Sequence, residues 1–231
     1  RVLRDVENVD LSLNLFGHKL KMPVILAPIG SMQDFVYGAG TAPTLADVFT
    51  VEDNVLYYDT VNSDITDEIS EGHEEELLRI LKKHDEIDTL ILNSGGGLVY
   101  VANEMADLVI DARLSTHVEF SCESSCATIF LAGKKRSLAL GGKIGFHKSY
   151  WEADSIKEYY ESEKETEGWS NFFDFASWMY EDTQSEIFAD FEYLIERGVT
   201  PRFAIETLRA GSDGMWYPRR SKLFEGGVLT E

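Results

Sequence analysis

The chain has 231 residues, of which 44% are hydrophobic, which is enough for one well-buried domain with a small appendage. Its 21 basic and 41 acidic residues give a formal net charge of -20, which argues against nucleic acid or an anionic membrane surface as a partner. The sequence has no apolar run of roughly 18 residues, so it predicts no transmembrane helix.

The first 50 residues have an irregular pattern. A β-hairpin is predicted around Leu11 to Leu26, turning at Gly17 and His18, and a connector rich in Gly, Pro and Ala follows it. We therefore expect residues 1–50 to form an accessory arm and linker, and residues 51–231 to form the main domain.

From Val55 onward, strand and helix patterns alternate. Strands are predicted over 55–58, 89–92, 117–120, 136–140 and 143–146, and helices over 74–84, 98–112 and 124–132. Repeated β-α-β crossovers predict an α/β fold with a parallel sheet.

The C-terminal third is predicted to be mostly helical, with a helical insertion or handle over residues 152–197. Its aromatic residues exceed what one helical stripe needs, so the handle is expected to pack on the domain and also on another subunit; a purely intrachain core helix fits the pattern equally well. A helix capped by Thr200 and Pro201 then runs to Leu208, and a strand-like segment covers Met215 to Tyr217.

Two residues suggest catalytic chemistry. Ser124 stands where a strand turns into a helix, and His147 stands at the end of a later strand. A histidine can accept the proton that makes serine a nucleophile and return it later as an acid. The backbone N–H groups of Gly97 and Ser125 are predicted to hold the developing oxyanion. Ser125 is the fallback nucleophile, and a Cys126 thiolate is a weaker alternative.

Three motifs in order carry a resemblance from about Val55 to the C-terminus. Asn93 to Gly97, the helix containing Ser124 and ending at Ala132-Gly133, and the strand Lys143 to His147 resemble the Clp-protease-like branch of the Clp/crotonase superfamily. The resemblance implies repeated β-α-β units with a helical C-terminal handle, a serine peptidase activity, a peptide or protein substrate and a homo-oligomer. Whether an unfoldase or a membrane-anchored partner takes part is left open.

The third member of a triad is where the sequence departs from that family. The family's aspartate aligns with Thr207, beside Glu206, and Asp213 is the best nearby carboxylate. A Ser-His dyad and a site completed on assembly stay open. A catalytically inactive scaffold and a crotonase-type acyl-thioester enzyme are the alternative functions.

The remaining expectations concern cofactors and location. No cofactor and no metal site is expected. Cys122 and Cys126 are either a disulfide or two buried thiols. The variant serine turn C-x-S-x-C resembles exported, uncharacterised bacterial relatives, which implies a periplasmic or exported protein, with a cytoplasmic one as the alternative. Because position 1 is arginine, we expect that a leader or anchor originally preceded this sequence.

Overall fold

The computed structural model describes residues 13–15, 18–20, 48–64 and 66–231. The chain divides into two units, Arg1–Tyr37 and Gly38–Glu231. In the first unit, β1 (Leu13–Leu15) and β2 (His18–Leu20) pair antiparallel, so a hairpin forms within the predicted range. The rest of that hairpin and the predicted connector lie outside the described residues.

The second unit contains a six-stranded sheet with one antiparallel pair. Its strands are β3 (Phe49–Glu52), β4 (Val55–Asp59), β5 (Thr89–Ser94), β6 (Ser115–Glu123), β7 (Arg136–Leu138) and β8 (Lys143–Gly145). The order is β3-β4-β5-β6-β7, and β8 pairs with the far end of β6. Only β3 and β4 pair antiparallel, so the predicted α/β fold with a parallel sheet is confirmed.

Seven helices accompany these strands in the described residues. They are α1 (His73–Lys83), α2 (Val99–Asp111), α3 (Cys126–Ala132), α4 (Ala153–Glu163), α5 (Phe172–Glu196), α6 (Pro201–Thr207) and α7 (Arg220–Glu225). Leu77 and Ile80 of α1 and Met105 of α2 are buried, as the apolar stripes predict. Nowhere in the described ranges is a helix both long enough and apolar enough to cross a bilayer.

The structure differs from the predicted elements at four places. Strand β3 begins at Phe49, inside the segment predicted to be an arm, and α7 was not predicted. The segment around Trp216 makes a single bridge, to Phe146, in place of a strand. Helix α3 begins at Cys126 and not at Ser124, because Ser124 has a left-handed backbone with φ 54° that separates β6 from the helix.

The predicted handle is a pair of helices, α4 and α5. Phe175 is the residue of α5 that is fully buried, and its ring lies against those of Tyr160 and Trp169. Further along α5, Phe191 and Leu194 pack on the main core, whereas Phe173 is 83% exposed. The helices therefore have an inner face toward the domain and an outer aromatic face, and the predicted contact with another subunit stays a prediction.

Candidate active site

Three neighbouring strands end at one edge of the sheet. In the β5/β6 pair Ser94 lies opposite Cys122, and in the β6/β8 pair Glu123 lies opposite Gly145. Because these pairs are parallel, the segments that follow each strand emerge side by side, which is where open α/β sheets bind ligands. The topology thus brings together the glycine loop after β5, Ser124 after β6 and His147 after β8.

Ser124 and His147 are in hydrogen-bond contact. The distance between Ser124 Oγ and His147 Nε2 is 2.6 Å, and both residues are half-buried. Ser124 has φ 54°, and its N–H donates to the carbonyl of Gly145 at 3.0 Å. A left-handed conformation costs a non-glycine residue about 1 kcal/mol, and such strain is characteristic of a sharp strand-to-helix turn that exposes a nucleophile.

Covalent and polar contacts hold this turn on both sides. Cys122 and Cys126, both buried, form a disulfide that spans Ser124. The Glu123 carboxylate accepts hydrogen bonds from the hydroxyls of Ser121 at 2.6 Å and Tyr217 at 2.9 Å, and it pairs with Lys143 at 3.1 Å. Burial raises the pKa of Glu123, but these hydrogen bonds outweigh it and lower the pKa overall, so Glu123 is a charged anchor beside the serine.

The glycine loop is held close to the serine. Gly97 has φ 146°, and a Cβ at this position would lie 2.4 Å from the Ile69 carbonyl oxygen. Ile69 donates to the Gly96 carbonyl at 2.7 Å and accepts from Leu98 N–H at 2.9 Å. Ser94 Oγ accepts from Gly96 N–H at 3.2 Å. Only glycine fits at position 97, because the backbone there lies directly against that of Ile69.

Two backbone donors at this edge have no acceptor. Within the part of the chain that the structure describes, neither the N–H of Gly97 nor that of Ser125 donates a hydrogen bond. The Ser125 hydroxyl donates to the Gly97 carbonyl at 3.1 Å, which ties the two backbone segments together. These are the two residues predicted to form the oxyanion hole, and their free N–H groups suit that role.

The side chains of the two alternative nucleophiles bond to groups other than His147. Ser125 is 5% exposed and its hydroxyl is bonded to Gly97, not to His147. Cys126 is in the disulfide, so the alternative of a Cys126 thiolate is wrong for this structure. Among these candidates, Ser124 is the one in contact with the imidazole.

The structure does not bring a carboxylate to His147. Nδ1 of this ring, the atom that a triad aspartate would contact, is buried and has no hydrogen-bond partner among the described residues. Asp213, predicted as the third member, is exposed on a loop and makes no hydrogen bond or ion pair there. Proximity in sequence suggested Asp213, but the turn that contains it, closed by a bond from Gly214 N–H to the Gly211 carbonyl, leaves its side chain in solvent.

The other two positions considered for the third member do not supply the contact either. Glu206 pairs with Arg202 at 3.1 Å and also with Lys222. Thr207 is buried, and its hydroxyl donates to the Ala204 carbonyl at 2.7 Å. Thr207 does line the same groove as Ser124 and His147.

A mostly apolar groove runs beside the serine. It is lined by side chains of α2, α3, α5 and α6, together with the segment that contains His147; its apolar members are Val99, Ala127, Leu131, Phe146, Ile187, Phe191, Leu194 and Leu208. One carboxylate lines it, that of Asp190 on α5. Sequence reasoning missed the contribution of α5, although Ile187, Asp190 and Leu194 share one helical face at spacings of three and four.

Side chains at the C-terminal end of α5 form hydrogen bonds with backbone carbonyls of α3. The Tyr193 hydroxyl donates to the Thr128 carbonyl at 2.8 Å. The Arg197 guanidinium donates to the carbonyls of Leu131 at 3.2 Å and Ala132 at 3.0 Å, near the C-terminal end of α3. These bonds fix one wall of the groove to the helix that begins beside the serine.

Among residues 48–64 and 66–231, no group of three His, Cys, Asp or Glu side chains is placed to hold a metal ion. The groups that the site does present are the Ser124 hydroxyl, the His147 imidazole and the free N–H groups of Gly97 and Ser125.

Comparison with known proteins gives matches of limited extent. A family model described as FMN-dependent dehydrogenase matches residues 1–90. L-lactate dehydrogenases of two Haemophilus influenzae strains, PittEE and ATCC 51907, are each 58% identical over 31 residues, which is 13% of this chain. The chain spans 8% of the length of these curated relatives. A solved structure of a ClpP1 mutant from Listeria monocytogenes matches with a TM-score of 0.46 and 17% identity, covering 71% of this chain and 85% of that one.

The matched range 1–90 does not fit a flavin phosphate site in the residues described. None of its described residues lines the groove at Ser124. Helix α1, the helix described within this range, has Glu74, Glu75 and Glu76 in its first turn, where acidic side chains repel a phosphate that the helix N-terminus would otherwise attract.

Proposed function

We propose that the chain is a serine hydrolase that cleaves peptide bonds, with Ser124 as nucleophile and His147 as general base and then acid. The observation that supports this most is the 2.6 Å contact between Ser124 Oγ and His147 Nε2 at a strained turn. A serine hydroxyl becomes nucleophilic when a neighbouring base takes its proton, and this contact provides the base.

The geometry supports the following sequence of steps. Ser124 Oγ attacks the scissile carbonyl carbon while its proton passes to His147 Nε2. The oxyanion is held by the N–H groups of Gly97 and Ser125, each worth about 3 kcal/mol in the transition state. His147 then protonates the leaving amine, and water hydrolyses the acyl-enzyme by the same route in reverse.

The finer assignment is to the Clp-protease-like branch, as a homo-oligomer in an exported or periplasmic location. The three motifs around Gly97, Ser124 and His147 support the branch, and the exposed aromatic face of α5 supports the oligomer. The Cys122–Cys126 disulfide supports an oxidising compartment. With Nδ1 of His147 unpaired, the structure supports a Ser-His dyad.

A fluorophosphonate probe tests the proposal directly, because it phosphonylates only an activated serine. We expect the wild-type protein to be labelled, Ser124→Ala to be unlabelled and His147→Ala to be labelled far more slowly. Ser125→Ala is the matched control and should keep its label, since its hydroxyl does not contact the imidazole. Equal labelling of wild type and Ser124→Ala would contradict the assignment.

One observation favours a second candidate, an inactive scaffold that keeps the fold for assembly. The unpaired Nδ1 of His147 leaves the imidazole without the group that normally orients it. For such a scaffold, we expect the wild-type protein to assemble and the fluorophosphonate probe to leave it unlabelled at all concentrations. The acyl-thioester alternative has no comparable support, because no Lys or Arg side chain lines the groove to meet coenzyme phosphates.

A further inference from the structure

The groove beside Ser124 has one carboxylate in an otherwise apolar wall. Ile187, Asp190, Phe191 and Leu194 project from the same side of α5, and all four line the groove. Asp190 is exposed, so its charge stays in contact with solvent at the edge of this apolar stripe. Among the described lining residues, Asp190 is therefore the carboxylate that a group bound in the groove would meet.

Asp190 has no counter-charge within the described residues. Its carboxylate makes no hydrogen bond and no ion pair there. No described Lys or Arg lines the groove with it, and His147 is the one basic side chain among the described lining residues. Desolvation by the neighbouring groove walls raises the pKa of the Asp190 carboxyl, although the residue is exposed to solvent.

We propose that Asp190 is a specificity-determining residue that binds a lysine or arginine side chain next to the scissile bond; this rests on the proposed hydrolase. The apolar walls suit the methylene stem of such a side chain, and the carboxylate suits its charged end. An unpaired carboxylate beside an apolar groove favours substrates that supply a cationic partner. The net charge of -20 draws cationic peptides toward the protein in addition.

The test compares two substrates that differ only in charge, the thiobenzyl esters of N-acetyl-lysine and N-acetyl-norleucine. We expect wild type to prefer lysine, and Asp190→Asn to lower the lysine-to-norleucine ratio of kcat/KM about tenfold to hundredfold. Glu192→Gln is the matched control, because it removes one charge from the same helix at a position outside the groove. Its ratio should stay within about twofold of wild type.

A binding measurement separates this inference from the hydrolase itself. Benzamidine is titrated into Ser124→Ala with and without Asp190→Asn, and we expect binding only when Asp190 is present. If the fluorophosphonate probe labels Ser124 but neither the ratio nor benzamidine binding depends on Asp190, the inference is overturned and the hydrolase stands. If labelling fails while benzamidine binding requires Asp190, the cation site stands and the hydrolase is overturned.

Discussion

Gly96 packs directly on Ser124: a Cβ at position 96 would lie 2.7 Å from the Ser124 Cβ and 2.8 Å from the Glu123 carbonyl oxygen. We predict that Gly96→Ala moves the serine away from His147 and lowers the fluorophosphonate labelling rate about a hundredfold or more. It should also lower the free energy of unfolding by about 2 kcal/mol, through overpacking and a positive φ.

Gly141→Ala is a matched control for that substitution. Gly141 also has a positive φ, 91°, but nothing lies within 4 Å of the added Cβ. The Gly141→Ala variant should have a free energy of unfolding about 1 kcal/mol lower than wild type in urea, and its fluorophosphonate labelling rate should be unchanged. Comparable loss of labelling in both variants would mean that backbone strain, not the contact with Ser124, is responsible.

Thr207→Asp should increase the labelling rate about tenfold. Thr207 and His147 line the same groove, and a carboxylate of similar size at 207 would accept a hydrogen bond from Nδ1–H, orient the ring and stabilise the imidazolium. Thr207→Asn, similar in shape but uncharged, should give no such increase. An Asp variant that is folded by circular dichroism and no faster than the Asn variant would show that residue 207 does not reach the imidazole.

Replacing both cysteines by alanine should lower the free energy of unfolding by about 2 kcal/mol, because the bridge closes a short loop. The effect is measured by urea unfolding with and without reductant. Reductant should destabilise the wild type by a similar amount and leave the variant unchanged. If reductant does not change the urea unfolding midpoint of the wild type, the result would argue against the Cys122–Cys126 bridge in solution.

His73 predicts a stability that depends on pH. It is fully buried, and its Nδ1 accepts a hydrogen bond from Ser70 N–H at 3.3 Å, so the Tyr58 hydroxyl donates to the same atom at 2.8 Å. Burial lowers the pKa of His73 from 6.5 to about 4. The unfolded chain therefore binds the proton more tightly, and the neutral ring's contribution is complete above pH 6.5 and is lost as the pH falls toward 4.

That loss is expected to reach about 3 kcal/mol between pH 7 and 4 in denaturant titrations. His73→Asn keeps an acceptor near the position of Nδ1 but does not titrate. We expect it to be less stable at pH 7 and to show a shallower decline on acidification. Parallel pH profiles for the two proteins would rule out His73 as the source.

The contact between Ser124 and His147 could be predicted because parallel strands end at a common edge. Once strands were recognised before Ser124 and His147, their meeting followed from topology, and the glycines after Asn93 completed the same edge. Strand β3 was missed because it is a four-residue edge strand whose pairing partner, not its own pattern, defines it.

The positions of the Asp190 and Asp213 side chains could not be predicted from the sequence, for related reasons. Asp190 belongs to the groove only because α5 folds back over α3, a long-range packing that helical periodicity does not specify. Asp213 is close to the expected position in the chain, but a triad requires its carboxylate to point at the imidazole. The sequence of a loop does not determine where its side chains point. The local sequence pattern located Ser124 and His147, and tertiary packing determined which residues surround them.

The hydrogen bonds from Tyr193 and Arg197 to the carbonyls of α3 have a consequence for substrate selection. They keep Asp190 at a set spacing from the serine before any substrate arrives, so docking a cationic side chain incurs little entropy loss in ordering the enzyme. The energy gained at that carboxylate is then available to align the amide bond for attack.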